Sequence, residues 1–122
     1  MKGKILIVDD AAFMRMMIKE TLKSSGYENI IEAADGDQAV QTYKTEKPDL
    51  VIMDITMPNK NGLEALKEIK EFDPKAVIVM CSAMGQESMV VEAIRNGAKD
   101  FIVKPFKSER IIKTVQNIID RS

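Results

Sequence analysis

Leu50-Val51-Ile52-Met53-Asp54 runs directly into Ile55-Thr56-Met57-Pro58-Asn59-Lys60-Asn61-Gly62. Four apolar residues lead straight to a carboxylate, and Pro48 and Pro58 bound the run. A short, continuous apolar run predicts a strand buried on both faces, where a half-exposed strand would alternate. Such strands lie in the middle of parallel sheets, and α/β proteins bind ligands at their carboxyl ends. This reading puts Asp54 on the ligand rim. Taken alone, an Asp after a strand is ordinarily a turn residue or a helix cap, so the rest of the chain has to decide its role.

Outward from this stretch, strand and helix signals alternate. Lys4 to Asp9 reads as a buried strand. Ala12 to Ser25 reads as a helix with Met14, Met17, Ile18, Thr21 and Leu22 on one face and Gly26 at its end. Glu28 to Ala33 is a shorter, outer strand. Asp35 and Gln38 have capping-box spacing before a helix with the stripe Ala39, Val40 and Tyr43, stopped by Pro48. After the opening stretch, Asn61 and Glu64 repeat that spacing before a helix facing inward through Leu63, Leu66 and Ile69, ended by Asp73-Pro74. Ala76 to Cys81 is a buried strand. Gln86 to Asn96 is a helix with inner stripe Val91 and Ile94, closed by Gly97. Lys99 to Val103 is the last strand. Ser108 opens a last helix with Ile111, Ile112, Val115, Ile118 and Ile119 at helical spacing. Five strands, each followed by a helix, predict an α/β doubly wound parallel sheet with helices on both faces. Right-handed crossovers then favour the flavodoxin-like order 2-1-3-4-5, with the first and third strands adjacent at the switch point.

Composition removes several function classes. At 122 residues the chain is expected to be one domain over its whole length, 1–122. The net charge of −1 offers no bulk attraction to nucleic acid or to an anionic membrane. No apolar run approaches the ~18 residues of a membrane span, and the apolar start from Ile5 to Val8 is too short for a signal peptide. The lone Cys81 suits a reducing compartment and reads as a small buried hydrophobe. With no histidine, the commonest general base and metal ligand is missing.

The predicted sheet gathers chemistry on its carboxyl rim. The first strand ends in Asp9-Asp10, the third in Asp54, the fourth in Ser82 and the fifth in Lys104-Pro105. Three carboxylates repel one another, so they need a cation or raised pKa values. Without histidine or clustered cysteine the cation is expected to be hard and oxygen-bound. Mg²⁺ suits this site, since it takes one or two carboxylates and keeps waters for a phosphate. A lysine and a hydroxyl opposite it would serve an incoming phosphoryl group. A carboxylate beside such a metal can be a nucleophile, giving an aspartyl phosphate. Singly, Asp9-Asp10 would be a helix cap and Lys104 a solvated charge. Thr56 would be a turn residue and Phe101 plain core.

Asp9-Asp10, Asp54 with Met57-Pro58 and Gly62, Ser82-Ala83, and Lys104-Pro105-Phe106 together resemble the receiver domains of two-component response regulators. The likeness spans residues about 4 to 120. Within that family, Ala11-Ala12-Phe13-Met14-Arg15 and Cys81-Ser82-Ala83-Met84-Gly85-Gln86 are most similar to single-domain chemotaxis regulators. The resemblance implies that Asp54 accepts a phosphoryl group from a histidine of a sensor histidine kinase. It implies Mg²⁺ at Asp10 and Asp54, with Asp9 acting largely through water and Thr56 through its backbone carbonyl. It further implies that Lys104 pairs with the acyl phosphate, that Ser82 swings toward it, that Phe101 then turns inward, and that the Lys104-Pro105 bond is cis. Many family members have threonine in place of Ser82, and serine keeps the hydroxyl. Many chemotaxis members have tyrosine in place of Phe101, which lacks the phenolic oxygen.

The expected function is a phosphorylation-controlled binding module. It is not an enzyme beyond its own phosphorylation and dephosphorylation, and it is monomeric and cytoplasmic. Its expected partners are the kinase, a phosphatase of the chemotaxis system and the flagellar motor switch protein, reached through Met89, Val90, Lys99 and Phe101. Phe13 and Met16 form a second candidate surface. A single-domain phosphorelay intermediate is the alternative within the class. A small phosphatase with an Asp nucleophile is the rival outside it. Such an enzyme wants an Asp general acid two residues after the nucleophile, where Thr56 stands. A flavodoxin is disfavoured because Asp9-Asp10 would repel a phosphate.

Overall fold

The computed structural model describes residues 3–120. In chain order the elements are β1 (Ile5–Val8), α1 (Ala12–Ser24), β2 (Ile30–Ala33), α2 (Gly36–Glu46), β3 (Leu50–Asp54), α3 (Gly62–Phe72), β4 (Ile78–Ser82), α4 (Glu87–Arg95), β5 (Asp100–Val103) and α5 (Ser108–Ile119). The strands form one parallel sheet in the order β2-β1-β3-β4-β5, the flavodoxin-like arrangement anticipated above. Strand ends shift by one or two residues from the sequence reading, and the shift that matters is at β4, which starts at Ile78 and takes in Ser82.

Every residue of β1, β3 and β4 is buried, as their unbroken apolar runs require. Because strand side chains alternate, each central strand feeds two cores. Leu6, Val8, Val51, Met53, Ile78 and Met80 pack with α2 and α3. Ile5, Ile7, Leu50, Ile52, Val79 and Cys81 pack with α1 and α5. In β5 only Ile102 is buried, as befits an edge strand.

The helix starts follow their capping chemistry. Asn61 and Glu64 form a complete capping box on α3. Asp35 accepts from the Gln38 amide, but the Gln38 side chain accepts from Ala34 instead of closing the box. The stripes read for α2 and α3 are largely as anticipated, with Ala39, Val40, Tyr43, Leu66 and Ile69 buried and Leu63 half-buried.

Two faces were misread. On α1, Ile18 and Leu22 are buried but Met17 is 36% exposed. On α4 the stripe is reversed. Val91 and Ile94 point outward at 49% and 45% exposure, Ala93 is buried, and Met89 and Val90 pack against the core. At about 100° per residue, Glu87, Ser88, Glu92 and Arg95 share one side of α4, and Met89, Val90 and Ala93 lie opposite. Val91 falls between Glu87 and Arg95 and Ile94 at the margin, so the helical period itself turns Val91 and Ile94 outward. Close approach to the sheet selects the small Ala93, and Met89 and Val90 turn in with it. Met89 is thus partly core, not a free surface contact.

Among the described residues, one buried side-chain polar atom lacks a hydrogen-bond partner, the Thr114 hydroxyl on α5. A buried hydroxyl without a partner is destabilising, whereas valine fills the same shape without a polar atom. Thr114→Val is expected to stabilise the fold by about 1 kcal/mol, read as a higher denaturant midpoint at unchanged slope. A midpoint at or below that of wild type would show that the hydroxyl is satisfied in solution.

Candidate functional site

Sheet register builds the site. Val8 pairs with Met53, so Asp9 follows β1 at the level of Asp54 on β3. Asp54 pairs with Cys81, and Ser82 pairs with Val103, which puts Lys104 immediately beyond. By strand alternation Asp9, Asp54 and Lys104 share the face of the α1/α5 core. Ser82, Phe101 and Val103 lie on the α4 side, where they line a common groove.

Lys104 Nζ stands 2.9 Å from Asp9 Oδ2 and 3.2 Å from Asp54 Oδ2. Asp9 is 2% exposed, and its Oδ1 accepts the Ala11 amide at 2.9 Å. That bond turns the chain into α1, whose N-cap, Ala11, makes no side-chain cap. Asp10 is exposed. Carboxylate oxygens of Asp9, Asp10 and Asp54 all lie within 4.8 Å of one another. Like charges at that distance repel by roughly 3 kcal/mol at an effective dielectric of ~20. Lys104 cancels one of the three negative charges and leaves two. Arg15 is also nearby, and it donates to the Asp9 carbonyl, but its charge is paired with Glu32 at 3.1 Å. The cluster therefore has the charge and the oxygen donors for one hard divalent cation.

Burial pushes the Asp54 carboxyl above the usual carboxylate range. Lys104 opposes that rise and the Asp9 charge adds to it. Burial works to lower the Lys104 pKa, but the hydrogen bond to Asp9 and the charges of Asp54 and Asp9 outweigh it, so the ammonium is held above its ordinary value. Burial also raises the Cys81 thiol to about 12, which leaves it a protonated core residue at neutral pH, as read from sequence.

The loop after Asp54 is held from outside. Asn59, with φ +67, donates to Asp35 at 3.0 Å, and the Gly36 amide donates to the Lys60 carbonyl at 3.0 Å. Lys60 pairs with Asp37 and Glu68. A Cβ at Gly62 would sit 2.1 Å from the Asp54 carbonyl, so the turn closes on β3 only with glycine. The peptide bond Lys104-Pro105 is cis.

The response regulator receiver domain family matches residues 5–116. The chain belongs to that family. It is 58% identical to the chemotaxis protein CheY of Bacillus subtilis over 98% of this chain and 100% of that protein. It is 56% identical to CheY of Thermotoga maritima over 97% of this chain and 98% of that protein. Among solved structures it is similar to the receiver domain of NtrX from Brucella abortus, with a TM-score of 0.90 and 37% identity, covering 98% of this chain and all of that one. It is also similar to a CheX–CheY–BeF3–Mg complex from Borrelia burgdorferi, with a TM-score of 0.89 and 39% identity over 94% of this chain and 87% of that one. Receiver domains act in two-component signalling, and the relatives named here include chemotaxis proteins.

Of the residues singled out by sequence, Asp9, Asp10, Asp54 and Lys104 come together at this receiver's rim. Ser82 ends β4 beside them, 2% exposed. Phe101 is 37% exposed, which rejects the reading of it as plain core. Together with Met84, Val90, Val91, Ile94 and Val103 it lines an apolar groove of about 500 Å³ between α4 and β5. Exposed Lys99 is at the far end of β5 and outside the groove. Phe13 and Met16 are exposed at 69% and 49%, off the inner stripe of α1 as read. Sequence reasoning missed the roles of Arg15 and of Gln86, whose side chain joins the Ala83 amide to the Thr56 hydroxyl. Neither carries a periodic or motif signal; both bonds exist only because separate loops meet at the rim. Among the described residues no helix is long and apolar enough to cross a membrane.

The raised Asp54 pKa has a sign that can be tested. The folded protein holds this proton more tightly than the unfolded chain does, so ionised Asp54 subtracts from stability above its folded pKa. The deficit fades as pH falls through that value toward the ordinary one. Without divalent cations, Asp54→Asn is expected to be more stable than wild type at about pH 7, with the gap narrowing toward about pH 4. Denaturant midpoints across that range measure it, and a constant gap would rule out Asp54 titration as the cause.

Proposed function

We propose that this receiver accepts a phosphoryl group on Asp54 from a histidine of a sensor kinase and signals by binding a partner protein. The observation that carries the reading is Lys104 held between Asp9 and Asp54 within a cluster of three carboxylates. An Asp54 carboxylate oxygen forms the new O–P bond as the N–P bond of the donor phosphohistidine breaks, and the electron pair stays on the donor imidazole. Burial leaves the Asp54 oxygens poorly solvated and hence more nucleophilic. Lys104 exchanges its Asp54 contact for a phosphoryl oxygen and stabilises the charge that develops there.

Asp9, Asp10, Asp54 and the Thr56 backbone carbonyl would hold Mg²⁺. When bound, the ion supplies neutralising charge for the carboxylates and the phosphoryl oxygens. Ser82, on the α4 side of the sheet, gives its hydroxyl to the phosphoryl group, and Phe101 turns toward the space it leaves. The groove of Val90, Val91, Ile94 and Phe101 would then change shape where a partner reads it. By likeness to the chemotaxis relatives, that partner is the flagellar motor switch protein. The signal is ended by autodephosphorylation and by a phosphatase of the chemotaxis system. On this reading the chain is a single receiver domain working in the cytoplasm, and it turns over no substrate but its own phosphoryl group.

Acetyl phosphate with Mg²⁺ is expected to label wild type at one residue and to leave Asp54→Asn unlabelled, read by intact mass. Equal labelling of the two would remove Asp54 as acceptor. Millimolar Mg²⁺ is expected to raise the melting temperature of wild type in proportion to RT ln(1 + [L]/Kd) and to do little for Asp10→Ala. A wild-type melting temperature indifferent to Mg²⁺ at neutral pH would count against the acidic site.

A further inference from the structure

One side chain ties the loop that follows β4 to the loop that follows β3. Gln86 Oε1 accepts the Ala83 amide at 2.6 Å, and Gln86 Nε2 donates to Thr56 Oγ1 at 2.5 Å. Gln86 is the N-cap residue of α4 but makes no side-chain bond to its own helix, so both ends of its amide are spent between loops. Thr56 stands two residues after Asp54, in the loop that leaves β3. The Gln86 side chain therefore links the loop just beyond Asp54, at Thr56, to Ala83, the residue after Ser82.

We propose that Gln86 is a positioning residue that latches the rim in its resting arrangement and must release when Asp54 carries a phosphoryl group. The proposal rests on the reading of Asp54 as phosphoacceptor. A phosphoryl group adds three strong acceptor oxygens at the end of β3. The Ala83 amide, next to Ser82, is a backbone donor on the neighbouring strand end, and Gln86 already occupies it. The Gln86 carbonyl and the phosphoryl group thus compete for one N–H. The loop has room to respond, because Gly85 sits at φ +90 with nothing within 4 Å of where a Cβ would stand. Ala83 and Thr56 are exposed, so water can replace Gln86 on both. Losing the latch therefore shifts the resting–active balance without unfolding the rim.

The test titrates the isotope-labelled chain with beryllofluoride in Mg²⁺ and follows the Ala83 and Thr56 amides by NMR. Gln86→Ala is expected to bind beryllofluoride about three- to tenfold more tightly than wild type, the equivalent of one competing hydrogen bond, with an unchanged denaturant midpoint. Thr56→Val removes the other anchor of the same latch. The double variant is therefore expected to gain nothing beyond Gln86→Ala. Wild-type or weaker affinity in Gln86→Ala, or additive effects in the double variant, would overturn the latch while leaving the phosphoacceptor reading intact. If wild type binds no beryllofluoride at all, the reading of Asp54 fails and the latch fails with it.

Discussion

The ammonium of Lys104, shared between Asp9 and Asp54, is the interaction on which the arrangement of the rim depends. Parallel register brings two carboxylates to one level on neighbouring strands, a placement that is unfavourable on its own. The ion pairs at 2.9 and 3.2 Å make it tolerable. They also require Lys104 to come from β5, across β4. The pairs do not neutralise the site, because Asp10 brings a third carboxylate. A cluster left with surplus negative charge and a raised Asp54 pKa favours the arrival of positive charge. The fold thus stores at the rim an imbalance that a divalent cation would relieve.

Strand alternation separates that imbalance from the surface it would control. Asp9, Asp54 and Lys104 share one face of the sheet, while Ser82, Phe101 and Val103 lie on the side of α4. Any signal from Asp54 has to cross the sheet at its rim, where Ser82 ends β4 and the loops carrying Thr56 and Gln86 touch. The loop after β3 is pinned at its far end through Asn59, Lys60 and Gly62. The loop after β4 is held through the Gln86 amide, in open space around Gly85. The freedom to move lies on the β4 side, next to the groove. Coupling of this kind works only through contacts that differ between two states.

By itself the sequence determined the class of fold, its strand order and the acidic rim. Short unbroken apolar runs bounded by turn residues read as strands buried on both faces, and β1, β3 and β4 are that. Once those strands are parallel, the residues at their ends must converge, so Asp9, Asp10, Asp54, Ser82 and Lys104 were legible before any coordinates. The period of α4 also carries its buried face, since Glu87, Ser88, Glu92 and Arg95 fall together on the side away from Met89, Val90 and Ala93. Tertiary structure alone decided that Val91 and Ile94, outside that face, line a groove with β5. It likewise decided that Phe101 stands half in solvent on an edge strand. The roles of Arg15 and Gln86 also came only from the fold, because each bonds across a loop junction that local periodicity cannot encode. Local pattern reports which residues must be buried; which partner a polar side chain meets is settled only when distant segments are brought together.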